Sequence, residues 1–269
     1  MIRIFSILAG LAFSFVLGLS FIFEAINTAK DGLPNSAEKQ FHEHPAALPL
    51  STDGALGKFD NAQLQRGLAV FQGVCQNCHS LGYVAFRDLK ALGYDDDEVK
   101  AIAKAYQVPA YDPKTGEAKA HPGLPTDRFP PVVYGGKGSP PDLSLITKSR
   151  HGGAAYIHSL LTGYAAQPAE LVAKFPDAKT PEGLFYNPYF ANLNIAMPPP
   201  LTADGQVTYS DGTKATKDQM ARDVSAFLQW TAEPKLDKRK QTGWPVVLFL
   251  IFATGLAYMS KKQIWADQH

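Results

Sequence analysis

Both cysteines of the 269-residue chain fall in one pentapeptide, Cys75-Gln76-Asn77-Cys78-His79. Two thiols three positions apart, followed directly by an imidazole, form the C-x-x-C-H pattern of c-type haem attachment. Each thiol joins one haem vinyl group as a thioether, and the histidine is carried beneath the iron as its proximal ligand. Three other chemistries use part of the same residues. A thioredoxin-like dithiol needs a surrounding βαβ pattern, which this sequence lacks. A zinc site needs two further ligands at finger or ribbon spacing, and there is no second CxxC or HxxxH. A plain disulfide accounts for the thiols and leaves His79 without a role.

Haem iron with histidine on one side commonly takes methionine or histidine on the other. Of the four methionines, Met1 and Met259 lie at strongly apolar ends, and Met220 sits on an apolar helical stripe. Met197 differs, because Pro198-Pro199-Pro200 follows it and Asn187-Pro188-Tyr189-Phe190 comes shortly before it. Prolines fix φ and stiffen the loop, which suits holding a weak thioether ligand at one distance. His42 and His44 belong to a polar leader, His121 to a Pro-rich stretch and His269 to the tail, while His151 and His158 flank an aromatic segment. His151 is the reserve candidate.

The elements that must position these ligands are legible as 3.6-residue periodicity. Leu64, Leu68 and Phe71 mark one face of a helix expected to begin near Asp60 or Asn61. Gly67 within it weakens the helix and suits the close approach of another. Met220, Val224, Phe227 and Leu228 form a second stripe that runs to Trp230 before Pro234. A first helix crossing a late aromatic helix over a covalent haem describes a class I cytochrome c-like domain, so the fold expected is mainly α. Asp95-Asp96-Asp97-Glu98 opens a helix expected to run through Tyr106, where acidic residues favour the positive end of the helix dipole. The Pro-rich stretch 109–141 is expected to be an irregular loop.

His79 and Met197 are separated by 117 residues, more than a whole minimal haem-c domain of about 100 residues. That separation comes with longer strings. Ser139-Pro140-Pro141-Asp142-Leu143-Ser144 and Arg150-His151-Gly152-Gly153 come first, then Tyr156 with Ser159-Leu160-Leu161-Thr162-Gly163-Tyr164. Asn187-Pro188-Tyr189-Phe190 leading to Ile195-Ala196-Met197-Pro198 completes the series. From about residue 45 to 262 the chain resembles cytochrome c1, the haem subunit of ubiquinol–cytochrome c oxidoreductase. The resemblance implies one covalent haem c, thioethers at Cys75 and Cys78, and axial ligands His79 and Met197. It places Pro140 and Pro141 on the histidine side of the haem, with a proline carbonyl accepting the imidazole N–H. It sets Arg150 against a haem propionate and packs Tyr156, Leu161 and Phe190 on the macrocycle. It also implies electron transfer from a Rieske iron–sulfur subunit to a c-type cytochrome, beside cytochrome b, in a dimeric complex.

The ends carry a different signal. Ile4 to Phe23 and Thr242 to Ser260 are runs without charge, long enough to cross a bilayer, which needs about 20 apolar residues. Residues 1–26 therefore read as a signal anchor or a signal peptide, and 27–240 as an exported haem domain with large loop insertions. Residues 241–260 read as a transmembrane helix and 261–269 as a cytoplasmic tail. Lys261 and Lys262 after the second run agree with that orientation, whereas Lys235, Lys238, Arg239 and Lys240 before it oppose it. The absence of an Arg-rich transit pattern points to a bacterial inner membrane with the haem domain on the periplasmic side. The segment 27–234 carries net charge −3 and the whole chain +1, so nothing favours nucleic acid as a partner. Besides a bc1-type subunit, a membrane-anchored carrier or dehydrogenase subunit and a haem-based sensor fit a single haem-c site. Only the first needs cytochrome b and Rieske partners, and only the last needs an exchangeable sixth ligand.

Overall fold

A computed structural model describes residues 2–31, 36–111, 117–136 and 138–268. Lys137, in the segment before the Pro-Pro pair, and the termini Met1 and His269 lie outside the described residues. In chain order the helices are α1 (Ile2–Asp31), α2 (Ala37–Phe41), α3 (Asn61–Val70), α4 (Asp96–Lys104), α5 (Ile146–Ser149) and α6 (Gly153–Thr162). There follow α7 (Ala169–Lys174), α8 (Lys217–Ala232) and α9 (Leu236–Ile264). Two small antiparallel pairs, β1 (Gln107–Tyr111) with β2 (Ala118–Pro122) and β3 (Phe185–Tyr186) with β4 (Asn194–Ile195), complete a mainly α protein.

The chain divides into two compact units. The first comprises Met1–His42 and Pro168–Lys179. Within it, α1 exposes apolar side chains all round, from Ile4 to Ile26. Phe41 at the end of α2 meets Phe175 just after α7 edge-to-face at 6.4 Å. The second unit, Glu43–Gln167 and Thr180–His269, holds the motif-bearing segments and α9.

The centre of the second unit is the crossing of α3 and α8. Asp60 caps α3 by accepting from the backbone N–H of Ala62 and Gln63, which explains where the helix starts. Leu64 and Leu68 on α3 are buried, as are Met220, Val224, Phe227 and Trp230 on α8. Gly67 faces the partner backbone: a Cβ there would lie 2.2 Å from the Asp223 carbonyl oxygen and 2.5 Å from Phe227 Cβ. A side chain at 67 would thus hold the helices apart. Beside this contact the fully buried Asp223 carboxylate accepts from Arg66 Nε at 2.9 Å, Gln219 at 2.9 Å and Gln63 at 3.2 Å. Arg66 also reaches Asp211 at 2.6 Å. Burial works against the Arg66 charge, but hydrogen bonds to the two aspartates outweigh it and raise the guanidinium pKa above its usual value. The rest of the core is largely aromatic, with Phe129 edge-on to Phe71 and tilted against Phe86.

Three features outside this crossing refine the expectations. Asp95 and Glu98 form a reciprocal capping box on α4, and Asp96 and Asp97 pair with Lys90 and Lys100, so the acidic run serves its own helix. The helix ends at Lys104, two residues short of Tyr106. The Pro-rich stretch is not wholly irregular, because it contains the β1–β2 hairpin. Gly123 N–H donates to the Tyr106 carbonyl, which makes 106 and 123 a hydrogen-bonded pair. The adjacent pairs 107↔122 and 109↔120 alternate with it, so Pro122 and Pro109 both sit where the ladder needs no donor. Finally, α9 begins before the apolar run. Asp237 accepts from Phe59 N–H at 3.2 Å and Lys240 donates to the Gly54 carbonyl at 2.6 Å, which ties the start of the helix to the loop before α3. Both α1 and α9 are long and apolar enough to cross a membrane, and neither apolar window is buried.

Gly67→Ala should cost about 1–3 kcal/mol through overpacking of two backbones. Arg66→Ala should cost about 3 kcal/mol by leaving the Asp223 charge buried without its cation. Denaturant unfolding of the purified protein measures both, and a Gly67→Ala protein as stable as its parent would contradict the crossing geometry.

Candidate haem-attachment site

α3 does not end as an ordinary helix. Its last turn widens into a π-turn over Phe71–Cys75, with Gln76 N–H donating to the Phe71 carbonyl at 2.9 Å. Such a turn re-aims the side chains beyond it. Cys78 and His79 then both donate their N–H to the Cys75 carbonyl, at 3.1 and 2.9 Å, so the whole pentapeptide is one closed turn. Three side chains that are dispersed in an extended chain are thereby brought to one place.

His79 Nδ1 donates to the Pro141 carbonyl oxygen at 2.7 Å. A carbonyl accepts only, so this bond places the proton on Nδ1 and leaves the Nε2 lone pair for a metal. The Cys75 thiol is desolvated, and burial, reinforced by neighbouring Cys78, pushes its pKa up to about 12. Redox-active CxxC pairs carry the opposite, a depressed thiol pKa. Among the described residues no three His, Cys, Asp or Glu side chains converge as a metal-binding group. Haem iron asks less of the chain, one ligand on each face, with two thiols for attachment. That is the donor set present. A cavity of about 330 Å³ adjoins the turn on the histidine side, bordered by His79, Phe71, Leu81, Gln76, Tyr106 and Phe129.

Met197 lies in a loop fastened by two side chains to α6 and to the residues just after it. The Tyr164 hydroxyl donates to the Met197 carbonyl at 3.0 Å. Desolvation, reinforced by nearby Tyr156, raises the Tyr164 pKa well above its ordinary value, so it remains a donor. Asn187 is fully buried: its amide donates to the Leu160 carbonyl at 2.8 Å, and its side-chain oxygen accepts from Tyr189 N–H at 3.1 Å. Asn187 N–H donates to Leu193, a non-glycine residue held at φ 64° in the left-handed region. Gly163 makes room for this loop, since a Cβ there would lie 2.4 Å from the Tyr189 ring. On its other side the Met197 loop approaches the histidine-side segment, because a Cβ at Gly138 would lie 3.6 Å from Ala196, three residues ahead of Pro141.

The other predicted positions lie in the same unit, each with its own neighbours. Arg150 is exposed, donates to the Ser149 carbonyl at 3.1 Å and reaches the hydroxyl of half-buried Tyr156. Burial raises the Tyr156 pKa against the opposing pull of that guanidinium. Leu161 is half-buried against the main core, Pro140 is half-buried directly before Pro141, and Phe190 is half-buried with its N–H on the Asn187 carbonyl. The reserve residue His151 is exposed, His158 donates to Asp218 at 2.9 Å, and Met220 is core. Three positioning residues stood in quoted strings without a role: Tyr164, Asn187 and Asp142. For Asn187 and Asp142 the available signal was an Asx residue beside proline at a turn.

A sequence model of the Cytochrome C1 family matches residues 50–268. Cytochrome c1 of Rhodospirillum rubrum is 44% identical over 234 residues, covering 81% of this chain and 86% of that protein. Cytochrome c1 of Cereibacter sphaeroides is 38% identical over 261 residues, 83% of this chain and 87% of its own length. A protein named cytochrome b/c1 from Bradyrhizobium diazoefficiens is 40% identical over 260 residues, which are 88% of this chain but 38% of that longer protein. With the pentapeptide turn, the His79–Pro141 contact and the tethered methionine loop all inside the matched region, this chain belongs to the cytochrome c1 family.

Proposed function

We propose that this chain is the one-electron carrier subunit of a quinol–cytochrome c oxidoreductase. Its haem c would be attached through Cys75 and Cys78 and ligated by His79 and Met197. The observation that carries the reading is the His79–Pro141 hydrogen bond within a turn that also holds both thiols. Bound haem supplies a couple that gains and loses one electron without making or breaking a substrate bond. The chain's own residues do the rest. The Pro141 carbonyl keeps Nε2 of His79 deprotonated and fixed in direction. Tyr164 and Asn187 hold the Met197 loop, so a weak thioether need not order itself on binding. Tyr156, Leu161 and Phe190 would exclude water from the bound haem, which would raise the reduction potential, and Arg150 would neutralise a propionate.

Electrons would arrive from a Rieske iron–sulfur protein and leave to a c-type cytochrome. Cytochrome b is the inferred membrane partner, supported by a relative whose name joins b and c1 in one protein. Residues 27–240 would form the haem domain on the periplasmic side of a bacterial inner membrane. Residues 241–260 would cross the bilayer and 261–269 face the cytoplasm, while 1–26 direct export as an anchor or a removed signal. The length of α9, 29 residues or about 43 Å at 1.5 Å each, suffices to span and to reach the domain.

Purification in mild detergent with subunit identification should recover a cytochrome b and a Rieske protein; isolation of the intact chain without either sinks the complex reading. Met197→Leu should keep haem covalently attached, admit carbon monoxide and lower the potential by at least about 59 mV, a ten-fold change for one electron. An unchanged potential and spectrum would remove Met197 as ligand. Tyr164→Phe should cost about 1 kcal/mol at the methionine loop, read as a weakened Met–iron charge-transfer band at raised temperature.

A further inference from the structure

We propose that Asp142 is a positioning residue for His79, fastening the backbone just after the ligand to the segment whose Pro141 carbonyl accepts the imidazole N–H. The inference rests on His79 being the iron ligand. The His79–Pro141 bond joins two stretches of chain 62 residues apart, and one hydrogen bond on a rotatable ring does not fix its own length. Asp142 supplies the missing constraint. Its Oδ2 accepts from Ser80 Oγ at 2.9 Å and from Gly82 N–H at 2.7 Å, while Oδ1 accepts from Ser144 N–H at 2.8 Å and so locks the carboxylate's own rotamer. Leu143 N–H donates to the Ser80 carbonyl at 2.9 Å, and Tyr83 N–H to the hydroxyl of fully buried Ser144 at 3.1 Å. Residues 79, 80, 82 and 83 are thus each bonded to the 141–144 segment, with one carboxylate at the centre. A Cβ at Gly82 would lie 3.2 Å from Asp142 Oδ2, so a bare glycine lets the carboxylate come close. Partial burial opposes the charge, but the hydrogen bonds from Ser144, Gly82 and Ser80 outweigh it and keep the carboxyl ionised below the usual range.

The consequence is electronic. A short Nδ1–H bond to a carbonyl makes the imidazole a stronger donor and favours ferric iron, so a looser clamp favours ferrous iron. Three variants of the full-length membrane protein separate geometry from charge. Asp142→Asn presents donors to donors, Asp142→Glu keeps the charge but moves both oxygens, and Ser80→Ala removes one neutral partner. All three should retain covalent haem. All three should shift the reduction equilibrium toward ferrous iron, by about three-fold or more in Asp142→Asn, near 28 mV at 59 mV per ten-fold. The electron paramagnetic resonance g values of the oxidised haem should change with the ring's orientation. Hydrogen exchange at the Gly82 and Ser144 amides should accelerate, a readout independent of the haem. Parental potential and parental amide protection in Asp142→Asn would overturn the proposal. So would a potential shift in Asp142→Asn alone, since that is the signature of bare charge acting through space. If the parent itself carries no covalent haem with a His/Met spectrum, the reading of His79 falls and this inference with it.

Discussion

Everything around the candidate site depends on the close approach of two backbones at Gly67. α3 meets α8 where any side chain at 67 would run into the Asp223 carbonyl and Phe227. Leu64 and Leu68 can then pack on Val224 and Phe227 in one continuous core. The register along the crossing is fixed by Asp223, whose buried charge is satisfied only where Arg66, Gln63 and Gln219 converge. Phe71, one turn beyond Gly67, is consequently placed against Phe129 and Phe227, and the π-turn that starts there delivers Cys75, Cys78 and His79. A shift in the helix crossing is a shift in the pentapeptide turn.

The two proposed iron ligands are held by different means. His79 is constrained through backbone chemistry: a closed turn on one side and a proline carbonyl, itself laced to residues 80–83, on the other. Met197 sits on a loop with little regular structure and is constrained by side chains from just after α6 and from within the loop, Tyr164 and Asn187. That division suits the ligands' strengths, because an imidazole binds iron firmly whereas a thioether needs a preorganised loop. It also accounts for the long insertion between them. α6 is built from part of those intervening residues; its Leu160 carbonyl holds Asn187 and Tyr164 follows just after its end, while the helix packs on α8.

The charged residues divide in a similar way. Asp95 and Glu98 cap a helix, Asp237 and Lys240 secure the entry to α9, and Asp223 pins the helix crossing. Of these, only Asp95 and Glu98 serve their own helix; Asp223, Asp237 and Lys240 join segments far apart in the chain.

The sequence by itself determined the chemistry and the main helices. CxxCH names its own cofactor, the stripes at 64–71 and 220–230 name the crossing helices, and a glycine inside the first names the contact. These are short-range patterns, set by the 3.6-residue period and by covalent spacing, so they survive without knowledge of the fold. Met197 stood out by elimination and by its prolines, and the family strings supplied Pro141, Arg150 and Tyr156. What only the tertiary structure decided is how segments far apart in the chain meet. That set includes which of the two prolines turns its carbonyl to His79, the hydroxyl of Tyr164 on Met197, Asn187 beneath α6, the carboxylate of Asp142 across residues 80–82, and the prolines that fit a hairpin instead of a loop. The physical reason is that a hydrogen bond between distant segments leaves no periodic trace. A buried Asn or a turn Asp looks the same in sequence whether it ends a strand or positions a ligand, and its role appears only when its partners are brought within 3 Å by the core.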